Sequence, residues 1–419
     1  MFALFPLAIH IWNGEWYTAL LQNEKLKNNS MLSTRLYYLD WLRVLAMLGV
    51  FFFHNAMFFN ELSDWYVKNA TTNIVATAYC AFASQWGMPL FFVLAGAGTY
   101  YALKVISAGQ YARERTLRLV VPFIFGWLVV VVPQAYYGAI FNGTNLSGNF
   151  FQLYVQYLKS LPGLEWYHLW FLEQLFVFSM ITLPVFVLLN KARKSTVSRL
   201  AIIFDRPWVL PPIIILALSI VNAFLYPSGF WGNRDSGGWN IVSNMLFYIS
   251  GYLIFSNERI IEGIRKYGRI ALVTGIIGMA CLVLVFLDEL TNLTGYYGTT
   301  GYILSQFIQA ISAWSWLIAI ISLASRYLTG TNKFLKYANS AVLPFYILHQ
   351  TVIIAIGFYV VQWNSGVGIK YLTISATSFA VIMVIYEFLI KRVNILRFLF
   401  GMRAKVAKSG KRYVEEHAA

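Results

Sequence analysis

The stretch Asp40-Trp41-Leu42-Arg43-Val44-Leu45-Ala46-Met47-Leu48-Gly49-Val50-Phe51-Phe52-Phe53-His54-Asn55 decides how this chain is read. It is an apolar run long enough to enter a membrane, yet it carries an aspartate, an arginine and a histidine. Ionisable groups at membrane depth are costly, so they ordinarily face a protein interior or a water-filled cavity and mark function. Arg43 and His54 stand eleven residues apart. At about 100° per residue they return to within about 20° of one helical face, with Cα atoms about 16 Å apart along the axis. Asp40, three residues before Arg43, projects within about 60° of it. One face of one helix thus offers a charged pair near one end and an imidazole well inside.

Composition agrees with a membrane setting. Of 419 residues, 59% are hydrophobic and 12% charged, where a soluble domain is about a quarter charged. Ten apolar spans are expected, over roughly 39–59, 76–103, 118–137, 167–189, 208–226, 239–256, 269–287, 302–324, 341–362 and 370–390. The expected fold is therefore an all-α, polytopic integral membrane protein. Pro89, Pro122, Pro184 and Pro344 interrupt or end several spans, which membranes tolerate because neighbouring helices re-satisfy freed carbonyls.

The net charge of +15 is a topology signal rather than a nucleic-acid footprint. Of the 32 Lys and Arg residues, 27 fall on one side of the alternating spans. Lys68, Lys159, Arg234 and Lys370 fall on the other, and Arg43 lies inside the first span. Basic residues stay on the cytoplasmic side, so both termini are expected there. Cys80 and Cys281 both lie in apolar spans and offer no disulfide framework. No histidine or cysteine pair stands at i, i+3 or i+4, so no metal is expected.

Residues 1–35 form an N-terminal segment that is apolar from Phe2 to Trp12 but broken by Asn13, Gly14 and Glu15 too early to span. An interfacial helix rich in Trp and Tyr is expected there. Residues 36–392 make up the ten-span domain. Residues 393–419 read as a basic cytoplasmic tail resting on anionic lipid headgroups.

With this orientation, Asp40 and Arg43 lie near the cytoplasmic end of the first span and His54 in its outer half. His168 is expected at the outer mouth of the fourth span, with Glu173 about five residues deeper, level with His54. His349 is expected in the inner half of the ninth span. Histidine suits general-base work because its ordinary pKa is near 6.5. Arginine offers a planar fork for phosphate, and Arg113, Arg115 and Arg118 extend such a site at the mouth of the third span. Plainer roles stand beside each of these. An intramembrane histidine can serve only a cross-helix hydrogen bond, Arg43 can snorkel, and Glu173 can pair with a tyrosine or tryptophan for packing. The same buried charges also suit a proton-coupled secondary transporter.

Arg43, ten residues and His54 resemble the R-x10-H signature of the membrane-bound acyltransferase family 3. Phe91-Phe92-Val93-Leu94-Ala95-Gly96 resembles that family's F-F-[VI]-[LI]-S-G, with Ala95 where serine is frequent, so no hydroxyl role falls to that position. Arg115 and Arg118 ahead of Pro122 are similar to its paired arginines before a proline. His168-Leu169-Trp170-Phe171-Leu172 matches its H-L-W-F-L, and Phe345-Tyr346-Ile347-Leu348-His349 is similar to its tyrosine-to-histidine stretch. The resemblance covers the ten spans in order. It implies acyl transfer from cytoplasmic acyl-CoA, a co-substrate, to a hydroxyl of a cell-surface or periplasmic glycan at a bacterial cell membrane. The Asp40-to-Arg43 and His168-to-Trp170 stretches are closest to the glucan-succinylating subgroup, which implies a succinyl donor, with acetyl left open. In this assignment Asp40, Arg43, Arg115 and Arg118 bind the donor, and His54 is base or acyl carrier. Glu173 orients His54, while His168 and His349 line the cavity.

Overall fold

The computed structural model describes residues 36–143, 150–159, 166–192, 209–225, 227, 231–234, 237–292 and 297–403. The expected interfacial helix in residues 1–35 and the tail beyond Arg403 lie outside them. The chain divides into units of residues 1–37 and 38–419, and every candidate site residue belongs to the second.

The described residues fold as helices with no strand. In chain order these are α1 (Tyr37–Ala56), α2 (Ile74–Val105), α3 (Ala108–Val130), α4 (Val132–Phe141), α5 (Phe150–Lys159) and α6 (Tyr167–Lys191). There follow α7 (Leu210–Phe224), α8 (Ile241–Phe255), α9 (Glu258–Asn292), α10 (Thr300–Tyr327), α11 (Lys333–Val360), α12 (Val367–Ile390) and α13 (Asn394–Leu399). Seven of these are long and apolar enough to cross a membrane: α1, α2, α6, α9, α10, α11 and α12. The pair α3 and α4, bent by 41°, makes an eighth if taken as one span. The remaining two expected spans coincide with α7 and α8, which have only 15 residues each. Fifteen residues rise about 22 Å, against about 30 Å of hydrocarbon.

Local chemistry sets the helix limits that matter for the site. The Asn332 side chain accepts a hydrogen bond from the Leu335 amide and starts α11 at Lys333, as an N-cap asparagine does. That is eight residues before the apolar run at 341, because Lys333, Lys336 and Asn339 are polar yet helical. Elsewhere, α2 and α8 cross at backbone contact. A Cβ on Gly96 would stand 2.0 Å from the Tyr248 carbonyl, and one on Gly251 2.0 Å from the Val93 carbonyl. Small residues are what let helices approach this closely within a membrane. The crossing delivers the buried Tyr248 hydroxyl to Thr99 Oγ1 at 2.7 Å. Gly96 in the F-F-V-L-A-G stretch is therefore a packing requirement that fixes polar partners one turn further along α2.

Candidate active site

Three histidines that the sequence sets at different depths meet in one place. His54 Nδ1 lies 2.9 Å from His349 Nε2. The His168 ring stands edge-on to His349, with centroids 5.0 Å apart and planes at 82°. The depth expectation for His349 is thereby corrected. With α11 starting at Lys333, His349 is sixteen residues along it, about 24 Å from its start, which brings it level with the last turn of α1. His168 sits in the short 3-10 turn that opens α6, 5% exposed rather than at an open mouth.

Carbonyls assign the protons of the neutral rings. His349 Nδ1 lies 2.5 Å from the Tyr346 carbonyl oxygen. A carbonyl can only accept, so His349 Nδ1 carries the hydrogen and its Nε2 keeps a lone pair. His54 Nδ1–H therefore donates to His349 Nε2. The lone pair of His54 is left on Nε2. A basic nitrogen in a fixed tautomer is what general-base chemistry requires. By the same reasoning His168 Nε2–H donates to the Ile347 carbonyl at 3.1 Å. Its Nδ1 is then a buried acceptor with no partner among the described residues. The Tyr346 hydroxyl donates to the His168 carbonyl and ties the opening of α6 to α11.

Two further features frame this cluster. The Trp65 ring, from the loop between α1 and α2, lies over His54 at 5.3 Å and 18°. Tyr167, immediately before His168, has φ +48°, the sole positive value at a non-glycine among the described residues. Such a conformation costs on the order of 1–3 kcal/mol and persists where surrounding contacts impose it, often at functional sites. Its ring packs on Tyr66 at 5.3 Å. Trp65 carries no sequence signal, since a tryptophan in a polar loop between spans also reads as an interface anchor.

At the other end of the shared face of α1, arginines gather. Arg43 Nη1 pairs with Asp40 Oδ1 at 3.3 Å, and the Asn339 amide donates to the same oxygen at 3.2 Å. Arg43 Nη2 reaches α2 over the bare Cα of Gly98, 3.2 Å from where a Cβ would stand. Arg115 Nη2 donates to Thr99 Oγ1 at 3.3 Å and its guanidinium lies 5.0 Å from the Tyr111 ring centroid. The Tyr111 hydroxyl joins Thr99 at 2.8 Å. Successive residues of α2 thus seat Arg43 and Arg115, and Arg118 lies within Coulombic reach of both. Thr99, Tyr111, Tyr248 and Asn339 carry no sequence signal, because the contacts that recruit them join distant helices.

The His54 Nδ1 position is taken by His349; Glu173 is half-buried, and no hydrogen bond or ion pair joins it to His54. Glu173→Gln is accordingly expected to leave the acidic limb of the pH–rate profile where it is in the wild type. A shift of that limb to lower pH would show that the carboxylate does support the imidazolium.

A family model for an acyltransferase domain matches residues 36–387. The chain is 21% identical over 389 residues to glucans biosynthesis protein C of Salmonella heidelberg strain SL476, covering 91% of this chain and 99% of that protein. It is 22% identical over 393 residues to the protein of the same name from Salmonella paratyphi A strain ATCC 9150 / SARB42, with the same coverage of both. No solved structure matches. The arginines and histidines of the site lie within the matched region, and the chain belongs to the membrane-bound acyltransferase family 3.

Proposed function

We propose that this protein carries an acetyl or succinyl group from cytoplasmic acyl-CoA to a hydroxyl of a cell-surface or periplasmic glycan. In this reading both termini are cytoplasmic and the protein sits in a bacterial cell membrane. The observation that carries the proposal is the pairing of an arginine cluster with a tautomer-fixed histidine along one face of α1, about 16 Å apart. That separation suits a donor whose phosphates and thioester are held apart by an extended arm. Arg43, Arg115 and Arg118 take the phosphates, as planar forks do. His54 Nε2 removes the proton of the acceptor hydroxyl while its oxygen attacks the thioester carbonyl. The C–S bond then breaks, and the proton passes from His54 to the departing thiolate. His349 Nε2 accepts from His54 Nδ1–H throughout and stabilises the imidazolium. The relatives' name points to a glucan as the acceptor class.

The test is equilibrium binding of acetyl-CoA and succinyl-CoA to purified protein in lipid nanodiscs, followed by mass spectrometry of oligoglucans incubated with each donor. The expected result is binding of at least one thioester and a glucan mass gain of the matching acyl group. Absence of both would overturn the proposal.

A further inference from the structure

The residues just past the last span do not leave as a free tail. The guanidinium of Arg397, on α13, donates through Nε to the Arg403 carbonyl at 2.8 Å and through Nη1 to the Lys391 carbonyl at 3.3 Å. The Met402 amide returns to the Arg397 carbonyl at 2.7 Å. Together these bonds close residues 391–403 into a hook. Phe400 is buried, with its ring 5.3 Å from Phe125 of α3.

Gly401 makes the closest approach. Its φ is +69°, and a Cβ there would lie 2.9 Å from the Arg118 carbonyl, 3.0 Å from Pro122 Cγ and 2.7 Å from Leu343 Cδ2. Only glycine meets both demands, the left-handed backbone and the lack of space. The surface it meets has its own cause. Pro122 has no N–H, so the Arg118 carbonyl lacks the donor four residues on that an uninterrupted helix supplies. The hook packs against this break in α3.

Its last described residue is Arg403, whose side chain is exposed and within Coulombic reach of Arg118. A mobile arginine would move away from Arg118, because like charges disfavour one another. Here the backbone of the hook, with Gly401 against the Arg118 carbonyl, holds it near. A guanidinium held near Arg118, which is itself within reach of Arg43 and Arg115, fits a ligand with several phosphate charges.

We infer that Arg403 is a phosphate-binding residue of the donor site, placed there by the Arg397–Gly401 hook. This rests on the proposed function and adds a residue from outside the matched region. The same phosphate chemistry exists in lipid headgroups, so the experiment separates the two sources. Kinetics of Arg403→Ala are measured in neutral phosphatidylcholine nanodiscs with acyl-CoA and with acyl-pantetheine, which lacks the nucleotide phosphates. The expected result is a KM for acyl-CoA raised about three- to tenfold, as for loss of one charge-assisted contact near water. The kcat, the acceptor KM and the KM for acyl-pantetheine are expected to stay at wild-type values. Gly401→Val, which displaces the hook without removing a charge, is expected to show the same pattern. An unchanged KM for acyl-CoA in Arg403→Ala, or an equal rise for acyl-pantetheine, would overturn the assignment. So would an effect that emerges only when anionic lipid is added, which would place Arg403 on headgroups. A wild type that binds no acyl-CoA would overturn the proposed function as well, whereas an inert Arg403 beside a binding wild type overturns this inference alone.

Discussion

Replacing His54 by glutamine is expected to lower the acyl-transfer rate by about 10²–10⁴-fold, the usual worth of a positioned proton-transfer group. Membrane insertion and folding are expected to survive, because His54 is half-buried beside Trp65 and fills no tight core position. Glutamine retains size and hydrogen bonding but cannot take a proton. A second expectation follows from the neighbouring ring. His349 is 0% exposed and touches His54 through the nitrogen opposite the reacting one, so it acts through His54. His349→Leu removes the acceptor for His54 Nδ1–H. The imidazolium is then less stabilised, and the acidic limb of the kcat profile moves to lower pH. His349→Gln, whose amide oxygen can accept that hydrogen, is expected to restore much of the rate and the limb position. The double variant His54→Gln/His349→Leu is expected to be no slower than His54→Gln alone, since residues acting as a unit are not additive. If His54→Gln kept more than about a tenth of the wild-type rate, neither base nor acyl-carrier chemistry would remain at this residue.

The arginine and the histidine of α1 were legible because their signal is local. Helical periodicity relates residues eleven apart without knowledge of any other helix, and charged groups stand out in an apolar run. Arg115 and Arg118 were legible as two arginines three apart at the mouth of the third span. The His54–His349 pair was not, since it joins residues 295 positions apart and depends on the start of α11. Reading that start from hydropathy placed it at 341 and set His349 too near one face. The polar first turns of α11, begun at the Asn332 cap, moved it to the level of His54. Only depth points to Glu173 in the sequence, and one coordinate leaves the rotation of α6 open. The hook was hidden more completely. Arg397 and Arg403 are two basic residues among many near the C-terminus, and only the backbone of Gly401 against Arg118 distinguishes them. Spans built on length were legible except where prolines and a late-placed cap shortened them. α7 opens on Pro211 and Pro212, and α8 begins only at the Asn240 cap.

Arg43→Ala is expected to raise the KM for acyl-CoA by about 10- to 100-fold, with kcat and the acceptor KM little changed. The size follows from losing hydrogen bonds to a charged group, about 1.5–3 kcal/mol, at about 1.4 kcal/mol per tenfold. Arg43→Lys is expected to fall between the two, because lysine keeps the charge but not the planar fork. A structural explanation must be separated from this one. Arg43 also pairs with Asp40, whose side chain is only 9% exposed and also accepts from the Asn339 amide, so removing the guanidinium takes one charged partner from a poorly solvated carboxylate. Loss of one partner of a buried pair destabilises chiefly through the charge left behind. Asp40→Asn/Arg43→Ala removes that charge while keeping the shape of the site. If Arg43 binds donor phosphate, the double variant regains thermal stability yet keeps the raised KM for acyl-CoA. If Arg43 serves only to neutralise Asp40, the double variant regains both. A change confined to the acceptor KM would instead place Arg43 in the acceptor site, and the donor arm could not run from the arginines towards His54.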